Sequence, residues 1–170
     1  MSRLSKPTLL LFVAATLAGS CLHFLYTLFP SLLTSLIAPV NESLWEHLKL
    51  LYWPCLVSGL LLTRGKRERL GNYALVLLLD SAALLGIGWF YHVVLGGDAL
   101  FFDVALYVLL MAAFFLVPPC LEDLPPRLRH LSMGLVAVLG VLLLLFTLLP
   151  PDHILFADLS AGPAWAPIPY

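Results

Sequence analysis

Charge is what this chain has least of. Nine Lys/Arg and ten Asp/Glu residues are too few to clothe a soluble domain of 170 residues. Cysteine is almost as scarce: Cys21, Cys55 and Cys120 fall in separate apolar segments with no CxxC spacing. That excludes a disulfide framework or a thiolate zinc ribbon, and each is expected as a small buried core residue. HExxH is absent, so no compact ligand motif announces a metalloenzyme. No internal repeat is evident, which disfavours a complete secondary transporter.

Long apolar runs are what the chain has instead, with a mean hydropathy of +0.99. About 20 apolar residues span a hydrocarbon core of about 30 Å. Five segments have that character: residues 7–29, 44–63 (with Pro54 inside), 72–95, 100–117 (stopped by Pro118-Pro119) and 131–149 (stopped by Pro150-Pro151). The expected fold is all-α, a polytopic bundle of five transmembrane helices forming one membrane-embedded domain over residues 1–170, with a tail at 150–170. Arg3 and Lys6 before an apolar run that reaches Cys21 mimic a secretory signal, but the run continues through Phe29 and predicts an uncleaved first helix.

Basic residues orient the bundle. Arg3, Lys6, Arg64, Lys66, Arg67, Arg69, Arg127 and Arg129 flank the spans on one side, eight of the nine Lys/Arg residues. The connections at 30–43, 96–99 and 150–170 hold none. Positive residues collect in the cytoplasm, so the N-terminus is expected there and the C-terminus outside, in a cell membrane. The Arg64–Arg69 cluster then reads as an anchor near anionic headgroups, and nucleic acid is not an expected partner.

That orientation gathers the unusual residues at one face. His23 lies near the outer end of the first span, His92 near that of the third with Asp98 and Asp103 just beyond, and Asp152, His153 and Asp158 after the fifth. Asn41-Glu42-Ser43-Leu44-Trp45-Glu46-His47-Leu48-Lys49 opens the second. Ser43 and Glu46 have capping-box spacing, which explains part of this stretch. On a continuous helix Glu42, Glu46, Lys49 and Trp53 would share a face, and Glu46 with Lys49 would form an i,i+3 ion pair inside the membrane margin. Imidazoles and carboxylates from several helix ends can together supply the nitrogen and oxygen donors of a divalent ion such as zinc. The expected ligands are His23, His47, His92 and His153, with Glu42, Glu46 and Lys49 as acid/base groups and Asn41 and Asp158 as further polar candidates. Asp80 stands apart near the membrane middle, where a carboxyl faces the bundle interior and needs a partner such as Ser81, Tyr107, Thr16 or Lys49, or stays protonated.

His23-Phe24-Leu25-Tyr26, the Pro39–Lys49 string, Tyr91-His92 and Pro150-Pro151-Asp152-His153-Ile154-Leu155-Phe156-Ala157-Asp158 together resemble a family of small multi-pass membrane proteins of bacteria and archaea, catalogued only as a domain of unknown function. The resemblance implies that His23, Asn41, Glu42, Trp45, Glu46, His47, Lys49, His92, His153 and Asp158 stand at the family's characteristic positions, and it implies no activity. The tail departs from the family's Gly-Tyr-Gly-like continuation with Gly162-Pro163-Ala164-Trp165. Three functions are compatible with these residues: metal-assisted hydrolysis or transfer on a membrane-associated substrate, transport or ion coupling through Asp80, and a structural subunit that binds a membrane protein partner or forms an oligomer.

Overall fold

The structure is a computed structural model that describes residues 5–161, so Arg3 and the departing tail segment lie outside the described residues. All regular structure among the described residues is helical: α1 (Lys6–Leu28), α2 (Leu32–Ile37), α3 (Leu44–Leu62), α4 (Leu70–Trp89), α5 (Leu100–Leu116) and α6 (Pro126–Leu148), with short 3-10 turns between and after them. Four helical segments are long and apolar enough to cross a membrane: Lys6–Leu28, Leu70–Val94, Leu100–Cys120 and Pro126–Leu148. Their outer faces expose Leu17, Phe24, Leu79, Leu109 and Val141, side chains that a bilayer covers and water would not. The chain is a membrane protein on this evidence.

The remaining long helix, α3, is the polar one, and it is also the central one. It packs against α1, α4, α5 and α6. Leu48, Leu51, Tyr52 and Cys55 are buried in its middle, beside Leu77 of α4, Met111 and Phe114 of α5 and Leu143 of α6. Enclosure explains why α3 tolerates Glu46 and Lys49: neighbouring helices, not lipid, surround them. α3 runs through Pro54 unbroken. Proline leaves the carbonyl four residues earlier, that of Leu50, without its helical donor. Gly19 of α1 lies against that carbonyl, where a Cβ would stand 2.5 Å from Leu50 O, so the absence of a side chain lets the two helices close over the gap.

Three expectations need correction. Residues 30–43 are not a plain connection, because Ser31 and Thr34 cap one another in a capping box that starts α2. The last helix begins at Pro126 rather than near 131, since proline at the first helical position needs no backbone donor. Cys21 and Cys120 are exposed and only Cys55 is buried; a thiol on a lipid-facing surface loses nothing, so burial gives it no advantage there. At the far end of the bundle, Asn72 holds the α5–α6 connection through Glu122 O at 3.1 Å and Leu124 N at 3.4 Å.

Candidate functional site

The site is built where α1 ends and α3 begins. Asn41 Oδ1 accepts from Ser43 N at 3.1 Å, which tightens the chain just before the helix. Ser43 is the N-cap, its hydroxyl accepting from Glu46 N at 3.3 Å. Glu42 therefore precedes the helix and does not lie on one face with Glu46, Lys49 and Trp53. The two glutamates part company at this cap, and each joins a different set of partners.

Glu42 joins the histidines. Its carboxylate lies 3.2 Å from His47 Nε2 and 3.8 Å from His23 Nε2. The two imidazole rings stand 5.5 Å apart. One ligand atom from each of His23, Glu42 and His47 falls within 4.8 Å of the others. The remaining nitrogen of His47, Nδ1, is 2.8 Å from Ser43 O, and a carbonyl can only accept, so Nδ1 carries the proton. Nε2 is then free to be a lone-pair donor facing Glu42, or it is protonated and donates to that carboxylate. His23 Nδ1 is buried and has no partner among the described residues. The hydrogen bond from His47, aided by the charges of His47 and His23, holds the Glu42 carboxyl below its ordinary range, against desolvation and the charge of Asp158. All three side chains are part exposed, between 29% and 46%, so the cluster is reachable from outside.

Glu46 joins Lys49 in the interior. Lys49 Nζ donates to Glu46 Oε2 at 2.6 Å, Ser35 O at 2.7 Å and Ala38 O at 3.3 Å, using all three protons. Glu46 Oε2 also accepts from Val40 N at 2.9 Å, and Oε1 from Thr147 Oγ1 at 3.3 Å. Lys49 is fully buried and Glu46 nearly so. The pair ties α2 and residues 38–40 to α3 and α6, and neither member has a polar atom turned to the histidine cluster.

The other candidates scatter around this centre. His92 sits in a π-helical turn, Phe90–Val94, that ends α4. Its Nδ1 bonds Gly97 O at 2.8 Å and its Nε2 bonds Asp103 Oδ1 at 2.8 Å. Each ring nitrogen faces an acceptor, which makes His92 the partner of Asp103, and the ring lies outside the cluster of His23, Glu42 and His47. His153 accepts from Leu155 N at 3.3 Å in an exposed turn and lies outside the cluster. Asp158 bonds the backbone and hydroxyl of Ser160 at 2.9 and 2.7 Å. Two residues before it, Phe156 packs on Trp45 and Phe146 with ring centres 5.1 and 5.4 Å away, which ties this loop to α3 and α6.

Asp80 is buried deep in the bundle, with Oδ2 lacking a partner among the described residues. Its expected partners are occupied elsewhere: Ser81 bonds Leu77 O at 2.7 Å, Tyr107 bonds Thr16 O at 3.0 Å, and Thr16 bonds Phe12 O at 2.8 Å. Sequence reasoning missed the part played by Asp103, Thr147 and the α2 carbonyls. Only Asp103 left a signal, as an acid close after the span that carries His92.

Comparison with known proteins adds a family and no activity. No curated protein and no solved structure matches the chain. One family model covers residues 2–164, nearly the whole length, and by that match the chain belongs to the family of unknown function DUF6512.

Proposed function

We propose that this protein is a five-span membrane protein, N-terminus in the cytoplasm, that holds a divalent cation such as zinc at its outer face and acts there on a membrane-associated substrate by hydrolysis or group transfer. The fifth crossing is α3. Its 19 residues reach about 28 Å at 1.5 Å per residue, close to a hydrocarbon thickness of about 30 Å. Pairing Glu46 with Lys49 removes the main objection to such a span. The basic bias of the connections supports the orientation.

The convergence of His23, Glu42 and His47 within 4.8 Å carries the proposal. Tetrahedral zinc with bonds of about 2.0–2.1 Å sets its ligand atoms roughly 3.3 Å apart, and the Glu42–His47 separation of 3.2 Å already meets that. The three ligand atoms span up to 4.8 Å, so His23 has to move inward by about 1 Å or more to complete that spacing. Ser43 O fixes the His47 tautomer that presents Nε2, a typical supporting contact for a ligating imidazole. Three protein ligands leave one position open, the pattern of catalytic rather than structural sites. A divalent ion there would bring the pKa of a bound water to about 7. Asp103, held by His92, and Asp158 are the carboxylates we assign to receive a proton. Glu46 and Lys49 keep the architecture and do not enter the chemistry.

Metal analysis of protein purified in mild detergent tests this reading. One divalent ion per chain is expected, falling at least tenfold in His47→Ala while helical content is kept. A folded, metal-free protein that binds no added zinc would refute it.

A second reading, ion coupling through the bundle, draws on the buried and unpartnered Asp80 oxygen. Proton or cation flux in proteoliposomes should then fall to the level of empty vesicles in Asp80→Asn; flux that is unchanged removes this reading.

A further inference from the structure

Away from the histidine cluster, toward the basic end of the bundle, the packing of α3, α4 and α6 is incomplete on one side. They leave a groove of about 250 Å³, walled by Tyr52, Leu60, Leu70, Tyr73, Leu77 and Ala137. Tyr52 shuts its deep end by donating to Val136 O at 3.0 Å. Leu60 and Ala137, at the lip, are exposed, so the groove opens sideways onto the surface that the membrane covers. An empty apolar groove facing lipid forfeits dispersion contacts along its whole lining, and an acyl chain restores them.

Its other end says which lipid. Leu60 and Leu70 border the basic connection holding Arg64, Lys66, Arg67 and Arg69. Tyr73, a groove-lining residue four positions after Arg69, packs its ring on Phe114 with centres 5.4 Å apart. Arg129 of α6 lays its stem over Gly71, where a Cβ would come within 2.6 Å of Arg129 Cγ. Arg69 directly precedes the lining residue Leu70, and Arg129 comes about one helical turn before the lining residue Met133, so arginines of two elements flank the apolar slot. Asp123, 3.7 Å from Arg69, is the only acid paired with a basic residue in this region among the described residues. Basic pockets between transmembrane helices are a recurrent setting for anionic headgroups.

We infer that this groove is a binding site for one acyl chain of an anionic phospholipid, whose phosphate is met by Arg64, Arg69 and Arg129. The site is independent of the cluster of His23, Glu42 and His47, which lies at the opposite end of α3.

The experiment is native mass spectrometry and thermal denaturation of the full chain in detergent, titrated with phosphatidylglycerol or phosphatidylcholine. Phosphatidylglycerol should be retained and should raise the melting temperature, while phosphatidylcholine does neither. Arg64→Gln with Arg69→Gln should weaken retention roughly tenfold or more. Ala137→Phe, at an exposed lip position, should abolish retention of phosphatidylglycerol. His47→Ala should leave retention unchanged. Equal response to both lipids, or full retention by Ala137→Phe, overturns the inference. So does a dimer in wild-type protein that Ala137→Phe disrupts, because a second copy would then be the occupant.

Discussion

His47 divides its two ring nitrogens between unlike neighbours, Ser43 O and the Glu42 carboxylate, and the second contact has a pH signature. The His47 hydrogen bond, above all, holds the folded-state pKa of Glu42 below its usual 4.5. A carboxyl whose pKa is lowered on folding contributes stability above its unfolded pKa and loses it as pH falls through the folded value. The melting temperature of metal-free protein should therefore decline on acidification below about pH 4.5, and Glu42→Gln should blunt that decline. A variant whose acid limb superimposes on the wild type would show that Glu42 is not bonded as described. Because Glu42 is 46% exposed, the effect is expected to be modest.

Among the elements, α2 depends on a residue far from it in sequence. Six residues are too few for a helix to persist alone. Its capping box and the ammonium of Lys49, bound to Ser35 O and Ala38 O, hold it in place. Lys49→Met would strand the Glu46 carboxylate in the interior, a loss of about 3–5 kcal/mol for a broken buried pair. Lys49→Met combined with Glu46→Leu removes both charges and should recover part of the loss. Chemical denaturation in detergent measures both, and amide exchange should show α2 opening in the single variant. A Lys49→Met protein as stable as wild type, with α2 still protected, would contradict this role for the pair. The same contact marks a limit of sequence reading. The i,i+3 spacing of Glu46 and Lys49 was legible, but the carbonyl acceptors 14 and 11 residues upstream were not. A six-residue helix shows less than two turns of periodicity, and its Ser31–Thr34 cap is a pattern that surface loops also carry.

For the whole molecule, apolar run length and proline stops placed the long helices to within about two residues except at the start of α6, because both act locally and strongly. The gathering of polar helix ends was also legible, because His23, the Asn41–Lys49 stretch and His92 fall at span ends that successive crossings bring to the same side. Which of those ends touch was not. His92 and His153 look as suitable as His23 and His47 in sequence, yet a π turn delivers His92 to Asp103, and His153 caps its own loop. Glu42 and Glu46 seem to share a helical face until the cap at Ser43 separates them. Packing between α1 and α3, with Gly19 set against Leu50 O, decides that His23 reaches Glu42. The central claim is thus that residues from two helices and the loop between them make one ion site. X-ray absorption at the zinc edge, on protein loaded with one equivalent, tests it most directly. The account predicts a shell of nitrogen and oxygen only, with scattering from two imidazoles that drops to one in either His23→Ala or His47→Ala. A sulfur-containing shell, or a spectrum indifferent to both substitutions, would contradict it.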